Sequence, residues 1–172
     1  ADLEHVLADF PGVEIANMNS DPQIVVGGRK DILESFNLYL RQKKVKGIML
    51  NVSGPFHTSL MEKAGELISG ELAKLDFKDP DIPLYLNYSG SRARDGGEVK
   101  EGLVRQISSP VRWLDIVRGI YGEGCRVFVE VGPKKVLKKI VEGIVPDAFV
   151  MNLEDEGSLG LLEDFLKNRQ ES

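Results

Sequence analysis

The tightest constraint on the fold is a change of hydrophobic period along residues 3–52. Leu3, Val6, Leu7 and Phe10 recur at helical spacing and stop at Pro11-Gly12, a pair that ends a helix. Val13 to Met18 and Gln23 to Gly27 read as two short strands, with the turn-forming Asn19-Ser20-Asp21-Pro22 between them. Helical spacing returns at Ile32, Leu33, Phe36 and Leu40, and Val45 to Val52 reads as a third strand. The predicted order is therefore helix, strand, strand, helix, strand.

A ferredoxin-like unit runs strand, helix, strand, strand, helix, strand. Residues 1–53 are accordingly expected to form a ferredoxin-like subdomain that lacks its first strand. Such a unit leaves one sheet position empty and an apolar helix face uncovered. The chain also opens without a methionine, directly on an amphipathic pattern. The expectation is a fragment, completed by upstream sequence or by a second polypeptide.

From residue 54 onward the pattern changes. Leu60, Met61, Ala64, Leu67, Ile68, Leu72 and Leu75 repeat at helical spacing over about five turns. Pro83 to Tyr88 is a predicted strand, followed by a polar loop from Ser89 to Gly97. Helices are predicted at Val99 to Ile107 and Val111 to Tyr121, parted by Ser108-Ser109-Pro110. A strand at Val127 to Val131, a helix from Lys134 to Glu142, a strand at Ala148 to Met151 and a helix at Ser158 to Lys167 complete the pattern. Strands alternating with helices indicate an α/β layer architecture over residues 54–172.

Composition narrows the function classes. The 22 basic and 27 acidic side chains leave a net charge of −5, which argues against bulk nucleic-acid binding. Apolar runs such as Ile24-Val25-Val26 are far too short to span a bilayer, and no signal-peptide pattern opens the chain. Cys125 is the only cysteine, so no intrachain disulfide can form, and it reads as a small buried residue of a cytoplasmic protein. No residues cluster like metal ligands.

One segment carries chemistry: Asn51-Val52-Ser53-Gly54-Pro55-Phe56-His57-Thr58-Ser59-Leu60-Met61. A predicted strand ends, Gly-Pro turns the chain, and a histidine stands at the start of a long helix, where it can reach a cleft. An imidazole, with an ordinary pKa of ~6.5, accepts and returns a proton near neutrality. On these residues alone a surface or helix-capping histidine is the plainer reading. His5, on the polar side of the first helix, reads as solvated.

The segment resembles the histidine motif of bacterial malonyl-CoA:acyl-carrier-protein transacylases and of related synthase acyltransferase domains. Three further stretches match in order. Residues 17–28, from Asn17-Met18-Asn19 to Gly27-Gly28, resemble the family's Asn-Ser-Pro-x-Gln strand-turn-strand. Residues 102–113, ending in Pro110-Val111-Arg112-Trp113, resemble the lead into its Pro-Val-x-Trp helix. Residues 128–137, with Glu130-Val131-Gly132-Pro133 and Leu137, resemble its Glu-x-Gly-Pro-x-x-x-Leu turn.

The resemblance implies a partial ferredoxin-like subdomain followed, over 54–172, by the C-terminal part of an α/β-hydrolase-like acyltransferase core. It implies that His57 is the catalytic base and that the backbone carbonyl of Gln106 orients it, in place of a triad acid. It places Phe56 beside the base as an acyl-group selector and Asn19 in the cleft. The implied reaction moves a malonyl group from malonyl-CoA to the phosphopantetheine thiol of acyl carrier protein through an acyl-serine, with no cofactor. The intact enzyme is expected to be cytoplasmic, monomeric and part of fatty-acid biosynthesis.

The departures matter as much. The chain has no Gly-x-Ser-x-Gly elbow, and Ser53, Ser59 and Ser69 lie in none of the required contexts. The family's Gly-Gln-Gly oxyanion segment and its carboxylate-binding arginine are also missing, and Arg105 does not occupy the latter's place. The isolated chain is therefore expected to be inactive without a serine-bearing half. An acyltransferase domain of a larger synthase is the nearest alternative, and a non-catalytic ferredoxin-like interaction module the alternative of another class. Two lysine-rich stretches, Lys134-Lys135 with Lys138-Lys139 and Arg41 to Lys46, read either as solvated faces or as docking for an acidic carrier protein.

Overall fold

The computed structural model describes residues 3–170. The chain divides into two compact units, Ala1–Ile116 and Val117–Ser172. The first contains α1 (Leu3–Ala8), β1 (Val13–Ser20), β2 (Gln23–Gly28), α2 (Lys30–Gln42), a 3-10 turn at Ser59–Met61, α3 (Glu62–Leu72) and α4 (Gly96–Arg105). The unit boundary falls inside α5 (Trp113–Gly122).

β1 and β2 form an antiparallel hairpin from Val13↔Gly28 to Ser20↔Gln23. A register shift between Ile15 and Asn17 leaves Ala16 unpaired with β2. On the other edge of β1 the Ala16 carbonyl accepts the Val111 N–H, and Met18 N–H donates to the Val111 carbonyl, each at 2.8 Å. The bulge thus ties the chain just before α5 to β1. α1 and α2 cover the hairpin with Val6, Val13 and Phe36 at the centre, and the Phe10 ring meets Phe36 edge-on at 5.1 Å. Burying a side chain such as Phe36 contributes about 1.5–3 kcal/mol.

Two expected strands do not form. Val45 to Val52 has no ladder partner among the described residues, and Val45, Ile48, Met49, Leu50 and Val52 are 46–70% exposed. Its β-branched residues supply propensity, but a strand exists only when a neighbour pairs with it. Pro83 to Tyr88 instead enters a tight reversal. It makes a single bridge, Tyr85↔Arg92, and Leu86 N–H donates to the Ser91 carbonyl at 2.8 Å.

The second unit holds the rest of α5, then β3 (Val127–Val131), α6 (Val136–Ile144), β4 (Phe149–Leu153) and α7 (Glu156–Gln170). β3 and β4 pair in parallel from Val127↔Phe149 to Val131↔Leu153, with α6 as the crossover. The Glu130 carboxylate accepts the N–H groups of Leu137 and Lys138 at 3.0 and 2.9 Å, satisfying the start of α6. The Phe149 and Phe165 rings stack at 4.6 Å and hold α7 to β4. Cys125 is half-buried, its thiol 3.2 Å from the Val127 carbonyl. The α/β character expected of the chain is present in both units.

Candidate active site

Gly54-Pro55 follows the unpaired segment 45–52, and His57 then adopts φ +63°, in the left-handed region that favours glycine. The surrounding contacts hold it there. His57 N–H donates to the Ile107 carbonyl at 3.2 Å. The Thr58 hydroxyl, on a residue only 1% exposed, donates to the Pro55 carbonyl at 2.6 Å. Ser59 donates its N–H and its hydroxyl to the Glu14 carboxylate of β1, at 2.9 and 2.5 Å. Gly27 of β2 makes room for this loop, since a Cβ there would lie 2.6 Å from the Thr58 methyl.

The imidazole is oriented by the end of α4. His57 Nδ1 lies 2.6 Å from the Gln106 carbonyl oxygen. That carbonyl is available for a reason written in the sequence. Its helical acceptor role would fall to the N–H of residue 110, and Pro110 has none. The carbonyls of Gln106 and Ile107 thus receive the side chain and the backbone of the same histidine. A carbonyl can only accept, so Nδ1 carries the proton and the neutral ring keeps its lone pair on Nε2.

His57 and Gln106 line an open groove of about 420 Å³ together with Phe56, Met61, Ala64, Ile68 and Ile107. The walls are mostly apolar, and Phe56 is 48% exposed. Three of the four expected site residues, His57, Gln106 and Phe56, therefore come together. Asn19, near the β1–β2 turn, is not among the residues lining the groove. His5 is exposed on α1. Sequence reading missed Glu14, Thr58 and the groove residues Met61, Ala64, Ile68 and Ile107. The helical spacing of Met61, Ala64 and Ile68 is visible in the sequence, but nothing in that spacing marks them as a groove wall.

Among the described residues no three His, Cys, Asp or Glu side chains converge to hold a metal ion. No described helix is long and apolar enough to cross a membrane. Hydrogen bonds hold three carboxylates below their usual range: Asp31 by Arg29, Glu98 by Arg94 and Asp155 by the Ser158 backbone. None of them lines the groove. Lys135 pairs with Glu154 at 3.4 Å and Lys138 with Glu142 at 2.5 Å, so part of the lysine strip is internally neutralised.

A sequence profile described as acyl transferase domain matches residues 1–169. The malonyl CoA-acyl carrier protein transacylase of Bacillus subtilis strain 168 is 32% identical over 161 residues, covering 93% of this chain and 51% of the relative. The crystal structure of the malonyl CoA-acyl carrier protein transacylase from Clostridium perfringens aligns with a TM-score of 0.91 at 29% identity. That alignment covers 98% of this chain and 54% of the other. A malonyl-transacylase solved in complex with a holo type II polyketide acyl-carrier protein aligns with a TM-score of 0.83 at 29% identity, covering 91% and 50%. The chain spans about half the length of the transacylases it matches.

Proposed function

The chain belongs to the acyl transferase domain family, and from that premise we propose that it is the histidine-bearing part of a malonyl-CoA:acyl-carrier-protein transacylase. One observation carries the reading: Nδ1 of His57 is committed to the Gln106 carbonyl at 2.6 Å, which leaves Nε2 as the basic nitrogen beside an apolar groove. The similarity to transacylases over more than nine-tenths of the chain supports it.

In the proposed reaction, Nε2 takes the proton of a serine hydroxyl supplied by a part of the enzyme outside this chain. The serine oxygen attacks the malonyl thioester carbon, the carbon–sulfur bond breaks, and Nε2 returns the proton to the coenzyme A thiolate. The phosphopantetheine thiol of acyl carrier protein then gives its proton to Nε2 and attacks the acyl-serine ester. Its sulfur takes the malonyl group, and the serine regains its proton. No step calls for a metal or redox cofactor. The Gln106 carbonyl fixes the tautomer throughout without adding a full negative charge. Phe56, beside the base, restricts the acyl group, and Asn19 is proposed to contribute to the cleft of the assembled enzyme.

The domain division belongs to the same proposal: a ferredoxin-like subdomain over 1–53 and the C-terminal part of the acyltransferase core over 54–172. The serine-bearing half is proposed to supply the strand that Val45 to Val52 lacks and to cover its exposed apolar side chains. Fatty-acid synthesis in the cytoplasm, by a monomeric enzyme acting with acyl carrier protein, is the proposed setting.

The test is complementation. The 172-residue chain is assayed for malonyl transfer from malonyl-CoA to holo acyl carrier protein, alone and with a separately produced serine-bearing half of a related transacylase. Transfer should appear only in the mixture or in a covalently joined chain. Complexes that form yet stay inactive in both formats would refute the proposed function.

A further inference from the structure

We infer that Asn87 is a positioning residue for His57, acting through the side chain of Gln106. The inference rests on the reading of His57 as the base and adds a residue to which no role has yet been given. The Asn87 side-chain amide donates from Nδ2 to Gln106 Oε1 at 2.8 Å, in half-buried surroundings. Gln106 is thereby held at both ends, its side chain by Asn87 and its carbonyl oxygen by His57.

The helix end needs such a tether. Beyond Gln106 the last turn of α4 closes only through long bonds, Ile107 N–H to the Val104 carbonyl at 3.3 Å and Ser108 N–H to the Arg105 carbonyl at 3.2 Å. Pro110 removes the donor that would otherwise reach the Gln106 carbonyl. A helix terminus held this loosely frays, and the peptide plane that aims the 106 carbonyl turns with it. Fixing the Gln106 side chain limits that rotation.

Asn87 is well placed to be the fixed point. Its own carbonyl accepts the Arg112 N–H at 2.8 Å, and Leu86 before it is closed into the reversal by bonds to Ser91 and Gly90. Leu86 also seats on α4 at Gly102, where a Cβ would come within 2.7 Å of the leucine Cδ2. Gly102 and Gln106 stand one turn apart, so the glycine that admits Leu86 brings the next residue level with Gln106. The contact is thus built into the fold at three points.

The experiment reads the imidazole directly, in the 172-residue chain, by nuclear magnetic resonance. The His57 Nδ1–H proton should give a resolved signal that exchanges slowly with solvent. Asn87→Ala should speed its exchange roughly fivefold to tenfold, the factor that one neutral hydrogen bond is worth. Asn87→Asp should restore slow exchange, because the Gln106 amide can turn its NH₂ toward a carboxylate. Unchanged exchange in Asn87→Ala, or no restoration by aspartate, would overturn the assignment, whatever happens to the melting temperature. Should either variant fail to fold, the unsubstituted chain decides. Asn87 side-chain amide protons that exchange as fast as those of exposed asparagines would refute the tether, and protected ones would uphold it. None of these readings needs transfer activity, so they stand or fall separately from the catalytic role of His57.

Discussion

His57 occupies a left-handed backbone conformation although it carries a side chain, a strain of about 1–3 kcal/mol for a residue other than glycine. The strain persists because the neighbours over-determine it: Ile107 takes the backbone N–H, Gln106 takes Nδ1, and Glu14 holds Ser59. The adjacent Phe56 forms one wall of the groove. In the proposed reaction a ring there leaves little room for a branch on the acyl α-carbon. In the full enzyme Phe56→Ser should narrow the preference for malonyl over methylmalonyl by ~1–3 kcal/mol, seen in the ratio of kcat/KM values. An unaltered ratio would mean that the ring only fills the loop.

At the scale of elements, the hairpin β1–β2 does more than fill its own core. Gly27 and Glu14 shape and clamp the histidine loop from below. Gly27→Ala should therefore destabilise the protein by ~1–3 kcal/mol through overpacking against Thr58, and should lower transfer as well. Thermal melts and initial rates on the same preparation would show both effects. In the second unit Lys138 is half-buried, pairs with Glu142 and donates to the Val150 carbonyl. Lys138→Glu should lower Tm by about 2–8 °C and leave the KM for carrier protein nearly unchanged. A large rise in that KM at unaltered Tm would instead make the residue part of a docking strip.

These elements also show what sequence alone conveys. β3, α6, β4 and α7 were legible to within a few residues because their signals are local, such as Gly132-Pro133 after an apolar run. Val45 to Val52 and Pro83 to Tyr88 were misread because pairing, not composition, makes a strand. His57 stood out by its setting between a Gly-Pro turn and a long helix, but its role and its pairing with Gln106 came through resemblance, since nothing in local spacing joins residues so far apart. The clamp from Glu14 to Ser59 and the tether from Asn87 to Gln106 cross 45 and 19 positions, a separation that periodicity does not report.

The molecule as a whole bears the marks of a part. Its first unit presents Ile48, Leu67 and Ile82 at 70–75% exposure, and the chain covers 51% of the Bacillus subtilis transacylase and 54% of the Clostridium perfringens one. Surface of that kind is ordinarily covered by a partner or by more of the same protein. The histidine, its carbonyl and the groove belong to the first unit, while the proposed nucleophile must come from elsewhere. The central claim is that this chain contributes the base. The most direct measurement is single-turnover malonyl transfer to holo acyl carrier protein by the serine-bearing enzyme, with and without His57→Ala, alongside thermal melts of both. The expected result is a rate lower by ~10²–10⁴ at nearly unchanged Tm, the usual contribution of a general base. Near-normal transfer by the folded variant would contradict the claim.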